Sequence, residues 1–419
     1  MLSRTKISVI LLSSLFVAYA LVGGLLDRVS ARDDTYKALR VFTDVLDKVK
    51  QNYVEQPDLK RAMWGGLHGM MEALDPYSSF VDGEIYKAME KDKAGKTANP
   101  GIILSHRYGY AYIVSTLPGS PAYQRGLRTG DLLETIDGQR TTEISLWEAR
   151  KLLIGDEGSS VNLRVIRARR SVPAPMELMR EELTLPEVSA RIIEDGIGVL
   201  TIPHLQKGVA ETVSAKLKML RSSGIGGLVV DLRGAASGTL EEAVQISDLF
   251  LPLNVVIVSV GGRDGERTEF ISTTEPLLAG VRIALLIDGG TSGPAEVVAA
   301  SVKDHGIGDT VGERTDGQGS VQTLFYLEDG SVFEVLTELF YRSSGKPVQD
   351  RKQRDSGISP EIQSPSPELV TNFYFDNAND DFETTFGDDF YKKLNKAIRD
   401  AQFEDGLKQV RGQLLMKAA

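Results

Sequence analysis

Short apolar runs in the second half of the chain place the strongest constraint on the fold. Four of them are rich in Val, Ile and Leu: Ile197–Ile202, Gly227–Leu232, Val255–Val260 and Ile283–Ile287. Helix-forming segments separate some of the runs, at Val209–Arg221 and Leu240–Leu249. Strands that are buried on both faces of a parallel sheet have this continuous apolar pattern. The sequence therefore predicts a βαβ-like α/β core.

A different sequence pattern precedes this core and begins near Asn99. Short β-rich runs alternate with turn signals such as Pro118–Pro121 and Asp137-Gly138. One short helix is expected at Ile144–Ile154, where Leu146, Ala149 and Leu153 share a face. This pattern predicts a compact β domain of its own. Before it, apolar spacing from Leu39 to Tyr53 and a segment from Asp58 to Leu74 predict two helices.

The net charge and the Cys and His content argue against several classes of function. The chain has 419 residues with 48 basic and 58 acidic side chains, so its net charge is −10. An acidic surface argues against nucleic acid as the main partner, because phosphate binding needs clustered Lys and Arg. There is no Cys, which excludes thiol catalysis, disulfides and cysteine-ligated zinc. The four histidines have no HExxH spacing, so we expect no metal and no cofactor.

The N-terminus predicts export. Arg4 and Lys6 precede an apolar run, Ile7–Leu26, that is long enough to span a bilayer as a helix. Basic residues on this side predict that the terminus stays in the cytoplasm and the body is exported. Ala18-Tyr19-Ala20 resembles a cleavage site, so residues 1–34 are either a signal peptide or a retained anchor. The body is then periplasmic, or anchored in the inner membrane and facing the periplasm.

One segment of the β domain resembles a known binding module. The run LPGSPAYQRGLRTGDLLETIDGQ (Leu117–Gln139) is similar to the core motif of PDZ domains. Such a domain binds a polypeptide C-terminus by strand addition. The resemblance places the carboxylate-binding loop at Gly101, Ile102, Ile103 and Leu104, where Ile103 replaces the second glycine of the family pattern. The alternative is a packing or dimerisation module.

The resemblance extends to both sides of this segment. Six blocks in order resemble the C-terminal processing, or tail-specific, serine peptidases: Phe42–Glu55, Glu72–Met89, Gly227–Pro252, Ala284–Gly306, Val311–Gln322 and Gly357–Ile362. The family implies a crotonase-like α/β peptidase core with an inserted PDZ-like domain and an N-terminal helical region. The corresponding boundaries are residues 35–97 for the helical region, 98–185 for the PDZ-like domain and 186–375 for the core. Residues 376–419 are predicted to be an acidic segment and a helix, Phe390–Leu407.

The same resemblance assigns the site, and this chain departs from it. The family uses a Ser nucleophile, three residues before a Glu, and a Lys base. That Glu is Glu296, so the nucleophile position is Gly293, and the base position is Gln318; a family Gln is retained as Gln322. Glycine cannot attack and Gln cannot accept a proton, so both members of the dyad are absent.

The oxyanion hole is also altered. Its candidates are the backbone of Ser237 and Gly238 and the backbone next to Pro294. Ser237 replaces a glycine of the family's loop, which puts an oxyanion-binding amide there in doubt.

Three functions follow as alternatives. The leading hypothesis is a degenerate family member that binds polypeptide C-termini or unfolded segments without cutting them, in a complex with active relatives or as a homo-oligomer. The rival is an active serine endopeptidase that uses Ser292 with a base such as Lys303, His305 or Lys346. Against this rival, the interpretation that we favour for Ser292 is an N-cap or near-cap hydroxyl of the helix that begins at Pro294. The third is an envelope scaffold whose PDZ-like domain docks a partner.

Overall fold

The computed structural model describes residues 36–167, 172–193, 196–350, 356–365 and 402–414. The described chain forms two compact units, one ending at Gly69 and the other beginning at Met70. The predicted export segment (residues 1–34), the acidic stretch (Asp376–Asp389) and most of the predicted helix Phe390–Leu407 lie outside these residues. Within the described ranges, no helix is long and apolar enough to cross a membrane.

Two helices open the described chain. Helix α1 spans residues 36–52, and α2 spans Leu59–Glu72. The predicted periodicity is present in α1, but Leu39 and Phe42 are exposed within their unit. Strand β1 (Ser79–Val81) and α3 (Gly83–Lys93) follow, and Asp82 caps α3 by accepting the backbone N–H of Glu84.

The β domain has the predicted strands and its short helix. Its elements are β2 (Ile102–Arg107), β3 (Tyr110–Thr116), α4 (Pro121–Gln124), β4 (Leu132–Ile136), β5 (Gln139–Arg140), α5 (Leu146–Leu153), β6 (Ser160–Ile166) and β7 (Ala174–Met179). The strands pair antiparallel in the order β2-β3-β4-β6-β7, with β5 on β4. Ser120 caps α4, and Ser145 and Glu148 form a capping box on α5. Strand β2 is the edge strand beside α5.

The α/β core follows in chain order. Its elements are β8 (Ser189–Ile193), β9 (Ile197–Thr201), α6 (Val209–Ser222), β10 (Gly227–Asp231), α7 (Leu240–Asp248), β11 (Val256–Gly261), β12 (Arg267–Ile271), β13 (Arg282–Ile287), α8 (Pro294–Asp304), β14 (Gly308–Gly312), β15 (Ser320–Tyr326), β16 (Val332–Arg342), β17 (Ile362–Gln363) and α9 (residues 402–414). One sheet has the order β17-β14-β13-β10-β9-β8, parallel except for β8.

One predicted strand belongs elsewhere. We expected Val255–Val260 among the parallel strands, and this is wrong: it forms β11 of a second, antiparallel sheet, between β12 and β16. An apolar run indicates a strand that is buried on both faces. It does not show whether the neighbouring strands run parallel or antiparallel to it. In this second sheet, β15 pairs with β16 along its length.

The parallel sheet positions the candidate site. Its buried residues pack on one side against α6, α7 and α8, and on the other side Val229 and Leu286 pack with Leu407 and Val410 of α9. Ligands of open α/β sheets bind at the carboxyl ends of the strands. The loop after β10, which contains Gly234, and the turn after β13, which contains Gly293, both lie at that end.

Candidate active site

The turn between β13 and α8 has the backbone of a nucleophile turn. Gly293 has φ 61° and ψ −122°, and its N–H donates to Glu296 Oε2 at 2.9 Å. Serine hydrolases hold their nucleophile on a strained strand-to-helix turn of this kind. A Cβ at residue 293 would have room, since its nearest neighbour is the Gln318 carbonyl oxygen at 3.8 Å. This turn therefore has the backbone geometry of a nucleophile turn, with glycine at residue 293.

The alternative candidate nucleophile, Ser292, lies inside the protein. It is fully buried, and its hydroxyl lies 2.9 Å from Asp316 Oδ2 and 3.3 Å from Gln318 Oε1. The Asp316 carboxylate is itself completely buried. In this structure the Ser292 hydroxyl is therefore not exposed to the surface. The predicted capping role is also wrong, because the N-cap of α8 is Gly293 and Glu296 accepts its N–H.

The bases considered for Ser292 are engaged elsewhere or exposed. Lys303 Nζ donates to the Ser359 carbonyl at 2.5 Å, and His305 Nε2 lies 2.8 Å from the Val256 carbonyl. Lys346 is exposed. None of these contacts involves Ser292.

The position that the resemblance assigns to the base is held by Gln318. The Gln318 N–H donates to Glu296 Oε2 at 2.8 Å, and the side chain is half-buried. A primary amide has no proton-accepting nitrogen. The retained Gln322 lies on β15, where its Nε2 donates to Ser320 Oγ at 3.3 Å.

Glu296 ties the two positions together. Its carboxylate accepts from the backbone N–H groups of Gly293, Gly317 and Gln318 and from the Thr315 hydroxyl. Burial, with a further contribution from Asp316, raises the pKa of Glu296 to about 8, although the Thr315, Gly317 and Gly293 donors oppose this shift. The position of Glu296, three residues after an N-cap, is the capping-box signal that indicates such a tie.

The candidate oxyanion loop is folded but incomplete. Gly234 N–H donates to Asp288 Oδ1 at 2.9 Å, and the Ser237 carbonyl accepts from Leu205 N–H at 2.7 Å. A Cβ at Gly238 would lie 2.2 Å from the Leu205 carbonyl oxygen, so this close approach requires glycine. In nucleophile turns, one oxyanion donor is the N–H of the residue after the nucleophile. That residue here is Pro294, which has no N–H.

The predicted peptide groove of the β domain is already partly filled. Gly101 has φ 82°, Ile102 and Ile103 are half-buried, and Leu104 is buried. From α5, Arg150 Nη2 donates to the Leu104 carbonyl at 3.1 Å. Tyr77 is buried in the same apolar cluster as Leu104 and α5. A peptide adding to β2 would compete with Arg150 for that carbonyl.

The β domain contacts the candidate site directly. Arg107 Nη2, at the end of β2, donates to Asp316 Oδ1 at 2.6 Å and to its carbonyl at 3.2 Å. Ser115 Oγ donates to the Gly234 carbonyl at 2.9 Å. The ring of Tyr112 stacks under the Arg107 guanidinium at 4.2 Å. Arg107, Asp316 and Ser292 thus form one chain of polar contacts between the β domain and the turn, in which Asp316 and Ser292 are buried and Arg107 is half-buried.

A cavity of about 360 Å³ lies along this seam. It is lined by β2 residues such as Arg107 and by the loop Arg314–Gly317. In the described part of the chain, no group of three His, Asp or Glu side chains has an arrangement that could hold a metal ion.

Comparisons with known proteins agree with this geometry. Residues 196–364 match the model of peptidase family S41, and residues 112–167 match a PDZ domain. The chain is 29% identical over 346 residues to a carboxy-terminal-processing protease of Bartonella bacilliformis, which covers 81% of this chain and 78% of the relative. It is 25% identical over 331 residues to the carboxy-terminal processing protease CtpA of Bacillus subtilis, covering 79% and 70%.

A solved structure supports the fold. The photosystem II D1 C-terminal processing protease superposes with a TM-score of 0.64 at 21% identity, covering 77% of this chain and 92% of that one. The mixed α/β fold is therefore shared with that structure.

Proposed function

Because this chain belongs to the C-terminal processing peptidases of peptidase family S41 and carries a PDZ domain, we propose that it binds polypeptides without cutting them. One observation carries the proposal: the backbone at residue 293 has the geometry of a nucleophile turn, yet it bears no side chain, and the base position is Gln318. Neither residue type can perform nucleophilic attack or proton abstraction.

Two further features support the absence of cleavage. Pro294 removes an N–H from the place where an oxyanion donor is needed. The candidate hydroxyl, that of Ser292, is buried and donates a hydrogen bond to Asp316 Oδ2. The rival function, an endopeptidase that uses Ser292, would need that hydroxyl at the surface of a cleft.

The core retains a platform for an extended polypeptide. Strand β15 pairs only with β16 among the described strands, so its other edge is open. It begins shortly after Gln318, whose carbonyl borders Gly293. Edge strands accept extended chains through backbone hydrogen bonds. We propose that a polypeptide C-terminus or an unfolded segment binds along β15.

Binding and cleavage can be measured on one sample. The purified body is mixed with an unfolded fluorescent reporter that ends in apolar residues, and anisotropy and intact mass are recorded. We expect a saturable rise in anisotropy and no fragments. Fragments that disappear in Ser292→Ala would contradict the proposal, and so would the absence of any binding.

The filled PDZ groove favours a second candidate, an envelope scaffold. In that function the core binds no polypeptide, and the docked PDZ domain, joined to the core by Arg107 and Ser115, presents a surface to a partner. The reporter experiment separates the two, because a scaffold of this kind leaves the reporter unbound.

The compartment and the partners complete the proposal. We propose that the protein acts in an exported, periplasm-like space, on the basis of the basic and apolar residues before Leu26. We also propose that it assembles with active relatives or with itself. Fractionation of cells and cross-linking followed by mass spectrometry would test both.

A further inference from the structure

Three aromatic side chains meet at the far end of strand β15, away from the candidate site. Tyr326 of β15 contacts Tyr86 of α3, with ring centroids 6.0 Å apart and hydroxyl oxygens 3.3 Å apart. Tyr86 in turn contacts Trp147 of α5, with ring centroids 5.3 Å apart. These three residues, here called the aromatic row, come from the helix after β1, from the PDZ domain and from the core.

The outer member of the aromatic row is open to solvent. Tyr326 is 68% exposed, and the next residue, Leu327, is 44% exposed. Tyr86 and Trp147 are half-buried behind Tyr326. Because Tyr86 already holds the Tyr326 ring in place, covering that ring with a ligand costs little further conformational entropy. The row therefore offers a pre-arranged apolar surface.

The backbone of β15 is available at the same place. The Leu327 N–H donates to the Ser331 carbonyl at 2.9 Å, so the backbone of Leu327 faces β16. Backbone groups alternate in direction along a strand, so those of Leu324 and Tyr326 face the edge that no described strand covers. A residue of an added strand opposite Tyr326 would have its Cβ about 5 Å away on the same face of the sheet. Its side chain would then contact the Tyr326 ring.

The edge of β15 lacks the residues that commonly prevent strand addition. Its seven residues, Ser320–Tyr326, include no charged residue, no Pro and no Gly. By contrast, β12, another edge strand of the same sheet, contains Arg267 and Glu269. Charged side chains and Pro are the usual protection of an exposed edge. The uncharged edge and the aromatic row together fit an extended segment that carries an apolar side chain.

We propose that the aromatic row selects the polypeptides that bind along β15. An aromatic side chain of an extended segment packs on Tyr326, while the segment pairs with the backbone of Leu324 and Tyr326. This inference rests on the proposed function, because it assumes that a polypeptide adds to β15. It extends that function by naming the preferred substrate class, which is extended segments that contain an aromatic residue.

The test uses two fluorescent decapeptides of Thr, Val and Ser, one with a central Phe and one with Ser in its place. The wild type should bind the Phe peptide about 10-fold more tightly, because only Phe can pack on the Tyr326 ring. Tyr326→Ser should remove this difference and leave the affinity for the Ser peptide unchanged. Tyr123→Ser, which replaces an exposed tyrosine of α4, is the control and should change neither affinity.

Backbone pairing is tested on the peptide, so the protein stays unaltered. Only alternate N–H groups of a bound strand face β15. N-methylation of one alternate set of residues in the Phe peptide should therefore abolish binding, and N-methylation of the other set should be tolerated. Binding that survives both modifications would overturn the inference, because the peptide would not be adding to the edge of β15.

Three further results would also overturn the inference, each for a different reason. If the two peptides bind equally while the unfolded reporter still binds, the aromatic row does not select polypeptides and the proposed function stands. If they bind equally and Tyr326→Ser converts a dimer to a monomer in analytical ultracentrifugation, the row is a contact between two copies of the chain. If neither the peptides nor the reporter bind, both proposals fail.

Discussion

The Ser292 hydroxyl donates to Asp316 Oδ2 at 2.9 Å, and both side chains are enclosed by protein. This contact joins the turn before α8 to the loop before β15. It fixes the hydroxyl of the serine in that turn inside the protein, next to Gly293.

We predict that Ser292→Ala lowers the free energy of unfolding and does not change what happens to the unfolded reporter. Removing a buried hydroxyl that donates to a carboxylate should cost about 2 kcal/mol in the free energy of unfolding. Denaturant titration measures the loss, with Ser222→Ala on the exposed end of α6 as the control, where almost no change is expected. Equal stability of the two variants would show that the Ser292 contact contributes nothing.

The Arg107–Asp316 pair should be far more costly to break than a surface pair of the same domain. Arg107→Gln leaves the buried Asp316 carboxylate without its cation, and a loss of about 3 kcal/mol is expected. Arg164→Gln breaks an exposed pair with Glu134 and should cost less than about 1 kcal/mol. Hydrogen exchange should also increase in β2 of the Arg107→Gln variant. Similar losses in both variants would mean that the seam pair does not hold the domains together.

Gly293→Ala should be destabilising because of backbone strain, with no steric clash. At φ 61° and ψ −122° an alanine is strained by about 1–3 kcal/mol. A Cβ has open space there, so the loss should not exceed this range. Gly69→Ala in α2, where a Cβ also meets nothing within 4 Å, is the control and should be neutral or stabilising. A stabilised Gly293→Ala would contradict the strained geometry of the turn.

Glu296 should make stability depend on pH. Its pKa is raised from 4.5 to about 8, so between these values the folded protein keeps a proton that the unfolded chain has released. The free energy of unfolding from this group is therefore highest below pH 4.5 and falls as the pH rises towards 8. Glu296→Gln should flatten the slope, whereas Glu211→Gln on the exposed face of α6 should leave it unchanged. An identical slope in wild type and Glu296→Gln would refute this assignment.

The sequence predicted most of the strands and helices but not the sheet to which every strand belongs. Ile197–Ile202 and Ile283–Ile287 became β9 and β13 of the parallel sheet, because Val, Ile and Leu runs bounded by helices have few other solutions. Val255–Val260 went to the antiparallel sheet, since strand direction depends on long-range pairing that periodicity does not encode. The short helix of the PDZ domain was predicted to within two residues at its start, because Leu146, Ala149 and Leu153 share one apolar face that the structure buries.

The sequence analysis named residues of the candidate site but did not predict the side-chain contacts that join them to the β domain. The family resemblance assigned Gly293 and Gln318 to the site, and the structure brings them together through Glu296. The Arg107–Asp316 pair was not predicted, because the two residues belong to different domains and are 209 residues apart in the sequence. The orientation of Ser292 also depends on that pairing, and a local rule predicted a helix cap instead.

Restoring the missing groups tests the central claim most directly. Cleavage of the unfolded reporter is followed for the wild type, for Ser292→Ala, and for the triple variant Gly293→Ser, Pro294→Ala, Gln318→Lys, with circular dichroism to verify folding. The triple variant supplies a nucleophile, a base and an oxyanion N–H on the existing turn. We predict that only the triple variant cuts the reporter, while the wild type binds it intact. Cutting by the wild type that Ser292→Ala abolishes would contradict the account and identify a working peptidase.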